Sequence, residues 1–358
     1  MSKPNPLIQI IAKIWEETMR KSFFAATAIL FTFAAPAAAQ ESTAQFYQGK
    51  TVRLIVGVAA GSGYDINARA LARHMGEHIP GKPTIIVQNQ PGSGSISMTN
   101  QLYNVGPFDG TVIGAAFGGM PLAPLLTPEG VKFEPAKLIW LGSTNRETHV
   151  TYMWNTSPAN NFEDFKKRET VVGAQAPGTT QYDFPLVANA IFGTKFKIVP
   201  GYGGTPQIHL AMERGEIEGN GASAYTTIKA LNGDWIKDKK IKIIAQWALR
   251  PNPELPGVPS VLDLAKNDAD KAALLLVLAR LDFGRPFFLP PNVPADRVEA
   301  MRKAFDDTMK DPAFLAEAEK LKLDIDPLNG PQMTELVNKV LATPKDVVDR
   351  VRNIFEKN

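Results

Sequence analysis

Apolar and polar positions along this chain change period repeatedly, from β-branched runs to the three-and-four spacing of a helix face. Thr51 to Val58 is such a run, and Ala68, Leu71, Ala72, Met75 and Ile79 follow it on one helix face. Between them lies a turn with glycines at 57, 61 and 63, and Asp65 falls at the expected helix N-cap. The pattern goes on to predict strands at Thr84 to Gln88 and Thr111 to Ala116, around a helix from about Ser97 to Tyr103. A second set repeats the alternation. Val171 to Ala174, Phe196 to Val199 and Ile241 to Gln246 read as strands. A helix with Phe184, Val187, Ala188 and Ile191 on one face and another from Thr205-Pro206 to Gly215 lie between them. From Pro290 the chain reads as helical, with Val298, Met301, Phe305 and Met309 at helical spacing and a terminal helix around Val347 to Phe355. Strands alternating with helices predict right-handed crossovers and mostly parallel sheets, with ligands at the carboxyl ends of the strands.

The 358 residues suffice for two α/β domains, and 44% hydrophobic with 21% charged residues is a globular balance. The N-terminus departs from it: Arg20-Lys21, an apolar stretch and Ala37-Ala38-Ala39 before Gln40 form an export signal, with Met19 read as the start and cleavage expected after Ala39. Cysteine is absent, so there is no disulfide framework, lipid-anchor thiol or thiolate metal site. Removing residues 1–39 takes four cations and two anions and lowers the net charge from +3 to +1. That near-neutral balance argues against nucleic acid or an anionic membrane surface as partner.

The first turn has the grammar of an anion site, because glycines let the backbone turn tightly while helix N–H groups face outward. It does not fit a dinucleotide, since Ile66 occupies the place of the third glycine in Gly61-Ser62-Gly63-Tyr64-Asp65-Ile66, and no nucleotide-triphosphate loop occurs. Gly221-Ala222-Ser223-Ala224-Tyr225 approaches the serine-hydrolase elbow, but Tyr225 replaces its last glycine. His74 and His78 share a helix face without a metalloprotease signature, and the four histidines, with His149 and His209, read as surface residues.

Six motifs in order then carry a resemblance. They are Val56-Gly57-Val58-Ala59-Ala60-Gly61-Ser62-Gly63-Tyr64-Asp65, Asn89-Gln90-Pro91-Gly92-Ser93-Gly94 and Pro107-Phe108-Asp109-Gly110-Thr111-Val112-Ile113. Val199 to Pro206, Leu255 to Val261 and Pro290 to Pro294 complete the series over nearly the whole mature chain. The sequence resembles the extracytoplasmic solute-binding receptors of the tripartite tricarboxylate transporter family, the Bug proteins. That resemblance implies an α/β periplasmic-binding-protein fold of type II, two α/β lobes around a ligand cleft joined by crossing strands. It further implies a first lobe from 46–149 and 248–358, a second from 150–247, and a small carboxylic acid held by loops of both. The chain departs from the common pattern at Gly57 and Ala59, where prolines are frequent, at Ala176 and at Tyr202.

The ligand contacts implied are Ala60, Gly61, Ser62, Gly63, Tyr64, Asp65 and Gly94 from the first lobe. Gln175, Gly178, Thr179, Thr180, Tyr202, Gly203 and Ser223 are expected from the second. Ser62, Thr179 and Thr180 either donate hydroxyls to a carboxylate or cap helices. Asp65 either caps or accepts from a ligand hydroxyl or amine. Tyr64, Tyr202 and Tyr225, if gathered, would suit a flat or aromatic acid; apart, they serve packing. The expected protein is a monomeric periplasmic receptor without metal, cofactor or catalysis that delivers a small organic acid to an integral-membrane permease. Presentation of the acid to a sensor kinase, and a secreted hydrolase, are the alternatives.

Overall fold

The computed structural model describes residues 42–356, so the export signal expected at 1–39 lies outside the described residues. After α1 (Thr43–Tyr47), the β-branched run forms β1 (Thr51–Val56), which pairs in parallel with β2 (Thr84–Asn89) and β3 (Val112–Ala115). The crossovers run through α2 (Gly63–His78) and α3 (Ile96–Val105). Beyond α4 (Ala123–Leu126), β4 (Ile139–Ser143) ends in a short link and the chain passes straight into a second sheet as β5 (His149–Trp154). That sheet is completed by α5 (Asp164–Lys167), β6 (Thr170–Gly173), α6 (Thr180–Phe192), β7 (Phe196–Val199), α7 (Thr205–Glu213), β8 (Gly219–Ala224), α8 (Tyr225–Lys237) and β9 (Ile241–Trp247). The chain returns through α9 (Asp268–Phe283) and β10 (Pro286–Leu289). It ends in α10 (Ala295–Thr308), α11 (Pro312–Lys320), β11 (Leu328–Asn329), α12 (Gly330–Leu341) and α13 (Lys345–Glu356).

The strand orders are β11-β4-β10-β3-β1-β2 and β7-β6-β8-β5-β9, giving two α/β lobes joined by crossing segments. The sheets are mixed, which corrects the expectation of mostly parallel pairing. β10 runs antiparallel to β3 and β4, β11 to β4, and β5 to both β8 and β9. The physical reason lies in the crossings: β5 and β10 enter their sheets from the other lobe, without the helical return that enforces a parallel neighbour.

Sixteen-residue α9 has no amphipathic stripe. Leu274, Leu276, Val277, Leu278 and Leu281 are buried around its circumference because the helix lies within the molecule. One continuous core joins Trp140 beside β10, Leu278 of α9, and Phe184 and Trp247 of the second lobe. The last helix, α13, packs on both α9 and α6.

Candidate functional site

Local chemistry fixes the first turn before any ligand is considered. Ser62, not Asp65, is the N-cap of α2, and its hydroxyl accepts the Asp65 N–H at 3.3 Å. Asp65 lies inside the first helical turn. Its carboxylate accepts from Gly61 N–H at 2.8 Å, Arg69 Nε at 3.0 Å and Asn89 Nδ2 at 2.8 Å. Burial would raise its pKa, but these donors overcome burial and hold it below the ordinary carboxylate value. Asp65 is thus committed to bracing the loop. The Ser95 hydroxyl ties that loop to its neighbour, donating to Gly57 O at 3.0 Å and accepting from Phe117 N–H at 2.9 Å.

In the other lobe, Gly178 at φ +88° turns the chain into α6, and its N–H donates to Asp183 Oδ1 at 2.9 Å. Thr179 is the N-cap by position, yet its hydroxyl donates to Ala176 O at 2.7 Å and makes no side-chain cap. Gln181 Nε2 donates to Thr205 Oγ1 at 3.0 Å, while Gln181 Oε1 is buried without a partner among the described residues.

These two turns face each other across a cavity of about 270 Å³. Gly63, Tyr64, Phe117 and Gly119 line one side, and Gln175, Thr179, Thr180, Gln181, Thr205, Ser223 and Thr227 the other. Glu147 and His149, on the first crossing, and Arg280 and Arg285, near the second, complete it. Of the contacts expected from sequence, Gly63, Tyr64, Gln175, Thr179, Thr180 and Ser223 are brought together here. Ala60, Gly61, Ser62, Asp65, Tyr202 and Gly203 are not on this wall, and Gly94 and Gly178 line a neighbouring chamber. The three tyrosines do not gather: Tyr64 packs beside Phe117 and under Arg285, Tyr202 against Gly173, and Tyr225 under Lys229.

The charged groups are what sequence reasoning missed. Arg280 Nη1 donates to Asp183 Oδ2 at 2.7 Å, with both side chains under a tenth exposed. Arg285 Nη2 donates to Glu147 Oε1 at 3.1 Å, and its Nη1 to Gly63 O at 3.3 Å. Among the described residues, the Nε atoms of both arginines are buried without partners, as is His149 Nδ1. A guanidinium carries five N–H donors, so each retains capacity for an anion in the cavity. The available signal was two arginines, with Asp282 between them, inside the otherwise apolar run from Ala272 to Leu289.

Burial alone would push Glu147 up, but the His149 hydrogen bond and the Arg285 charge hold it at about 2. A depressed carboxylate contributes stability that is complete above its ordinary value of 4.5 and disappears as the pH falls toward about 2. Urea melts taken from neutral to strongly acidic pH should therefore lose midpoint across that window, and Glu147→Gln should flatten the loss. Parallel profiles for the two proteins would contradict this assignment.

The histidines are not the surface residues expected. His149 is buried against Glu147. His209 is buried between the Tyr152 hydroxyl and Asn232, at 2.7 and 2.6 Å. His74 and His78 are partly buried and pair with Glu317 and Asp311. Polar partners permit this burial; those of His74, His78 and His209 come from distant elements and escape local spacing, whereas the partner of His149 lies two residues before it. Ser223, Glu147 and His149 share the cavity wall, but Ser223 lies in the extended strand β8 and interacts with Tyr152. With His149 Nδ1 unpartnered, the nucleophile-to-base hydrogen bond of a hydrolase is not formed.

No family model matches the chain. A curated protein of Cupriavidus necator, described as a UPF0065 protein in the gbd 5′ region, is 22% identical over 344 residues, covering 93% of this chain and 96% of that one. Among solved structures, a TctC solute-binding protein from Polaromonas superposes with a TM-score of 0.65 at 19% identity, covering 85% of this chain and 99% of its own. The periplasmic binding protein BugD gives 0.60 at 21% identity, covering 87% and 98%. MatC from Rhodopseudomonas palustris with bound malate gives 0.59 at 17%, covering 86% and 99%. The chain shares the fold of these solute-binding proteins over most of its length, and the resemblance carried by the six motifs is borne out.

Proposed function

We propose that this protein is a periplasmic solute receptor that captures a small organic acid between its lobes and hands it to a membrane permease, with no covalent chemistry. The observation that carries this reading is the convergence of two partly unsatisfied guanidinium groups, Arg280 and Arg285, with the N-terminal turn of α6 on one cavity. The malate in the Rhodopseudomonas palustris structure is consistent with that chemistry. Ligand groups touching both walls would favour the closed arrangement of the lobes by their differential contacts, and a permease could recognise that arrangement.

One purification tests the reading. Protein recovered from the exported fraction should begin at Gln40, and carboxylic acids should raise its stability while their amides do not. At a hundredfold excess over Kd the linkage amounts to roughly 2.7 kcal/mol. Mass spectrometry of whatever the denatured protein releases would name the natural acid. Equal stabilisation by amides would reject the carboxylate clamp, and turnover of an ester or amide would reject a pure receptor.

A further inference from the structure

The polar cavity opens into a second and larger space. A chamber of about 820 Å³ adjoins it, and Phe117, Gly119, Thr179 and Arg280 line both. The second chamber differs in kind. Met120, Ala123, Leu126, Leu186 and Phe355 supply its wall, from the region of α4, from α6 and from the terminal helix α13. Of its charged groups, Asp183 is engaged by Arg280, and Arg352 donates through Nε to the Leu125 carbonyl oxygen while its other N–H groups remain as donors. Glu129 and Glu356 are exposed acids on the same lining.

A small polar acid would fill the first cavity and leave water against the leucines and the phenylalanine of the second. Apolar chain placed there would remove that contact with water. The junction supplies direction, because Arg280 borders both spaces and carries donors beyond the Nη1 that Asp183 engages. We infer that the ligand is an amphiphilic monocarboxylate, with its head group at Arg280, where the two spaces meet, and an aliphatic or arylalkyl tail in the apolar chamber. This inference rests on the acid-receptor reading and specifies its substrate class.

Calorimetric titration of the exported protein with butyrate, hexanoate and octanoate tests it, with succinate and suberate as diacid references. Each methylene entering the chamber should tighten binding about fourfold, so octanoate should bind on the order of a hundredfold tighter than butyrate. Suberate, which carries its second carboxylate past Leu126 and Leu186 toward Glu129 and Glu356, should gain no such increment, and a gain that Arg352→Met removes would overturn the monocarboxylate assignment in favour of a diacid. Ala123→Phe should flatten the chain-length series, and Leu126→Gln serves the same purpose if the first variant does not melt cooperatively. Measurable binding with equal affinities along the series would overturn the tail chamber and leave the acid receptor standing. Unchanged increments in a folded chamber variant would also overturn it. Absence of binding by every mono- and diacid would overturn both readings.

Discussion

Gly284→Ala is expected to lower stability by about 3 kcal/mol or to prevent accumulation of folded protein. Gly284 lies between α9 and β10 at φ +49°, and an added Cβ would fall on the backbone carbonyl oxygen of Asn145. Neither strand of this contact can yield independently. The Glu147 N–H donates to Leu281 O at 2.9 Å and the Thr144 N–H to Arg285 O at 3.4 Å, so the two crossings between the lobes are tied together on both sides of the glycine. Relief of the clash would pull Glu147 and Arg285 apart and open the cavity floor. Gly130 provides the contrast: it has φ +74° but open space around its Cα, so Gly130→Ala should cost only about 1 kcal/mol. Urea melts of both variants decide the matter. A Gly284→Ala midpoint matching that of Gly130→Ala would show that the crossings are not rigidly joined.

The first lobe was legible because its elements obey simple periods. β1, α2, β2, α3 and β3 fall within a few residues of the expected spans, as do β6, α6, β7, α7 and β9 in the second. Elements without a period were missed. β8, Gly-Asn-Gly-Ala-Ser-Ala, has no β-branched residue and pairs through its backbone between β5 and β6, where Gly219 and Gly221 leave room for Tyr152, Met153 and Pro185. The crossing strands β4 and β5 are buried along nearly their whole length, so no alternation marks them. Within the site, sequence located the two glycine turns but not which of their groups face the ligand. Ser62 and Asp65 satisfy one another's loop, and only contacts across α2 and β2 reveal it. The cavity cations come from α9, the segment with least amphipathic pattern, and from the link that follows it, and meet their acids 97 and 138 residues away in sequence.

Arg280→Met is expected to damage both stability and binding, and a second substitution separates the two effects. Loss of the guanidinium leaves the Asp183 carboxylate in a site where its side chain is 7% exposed, which should cost about 3 to 5 kcal/mol of stability. Asp183 retains only the Gly178 N–H, at 2.9 Å, as a hydrogen-bond donor among the described residues. Adding Asp183→Asn removes the stranded charge, and the double variant should recover most of that stability. Affinity should not recover with it. The acid would still lack a charge-assisted donor worth about 1.5 to 3 kcal/mol, which is roughly one to two decades in Kd. Arg280→Lys should fall between, keeping the cation while losing the planar fork that can hold Asp183 and a ligand carboxylate together. Urea melts and calorimetric titrations on the three proteins give independent readings of fold and ligand. A double variant that binds its acid as tightly as the wild type would assign Arg280 to the fold alone and leave Arg285 as the cavity's cation.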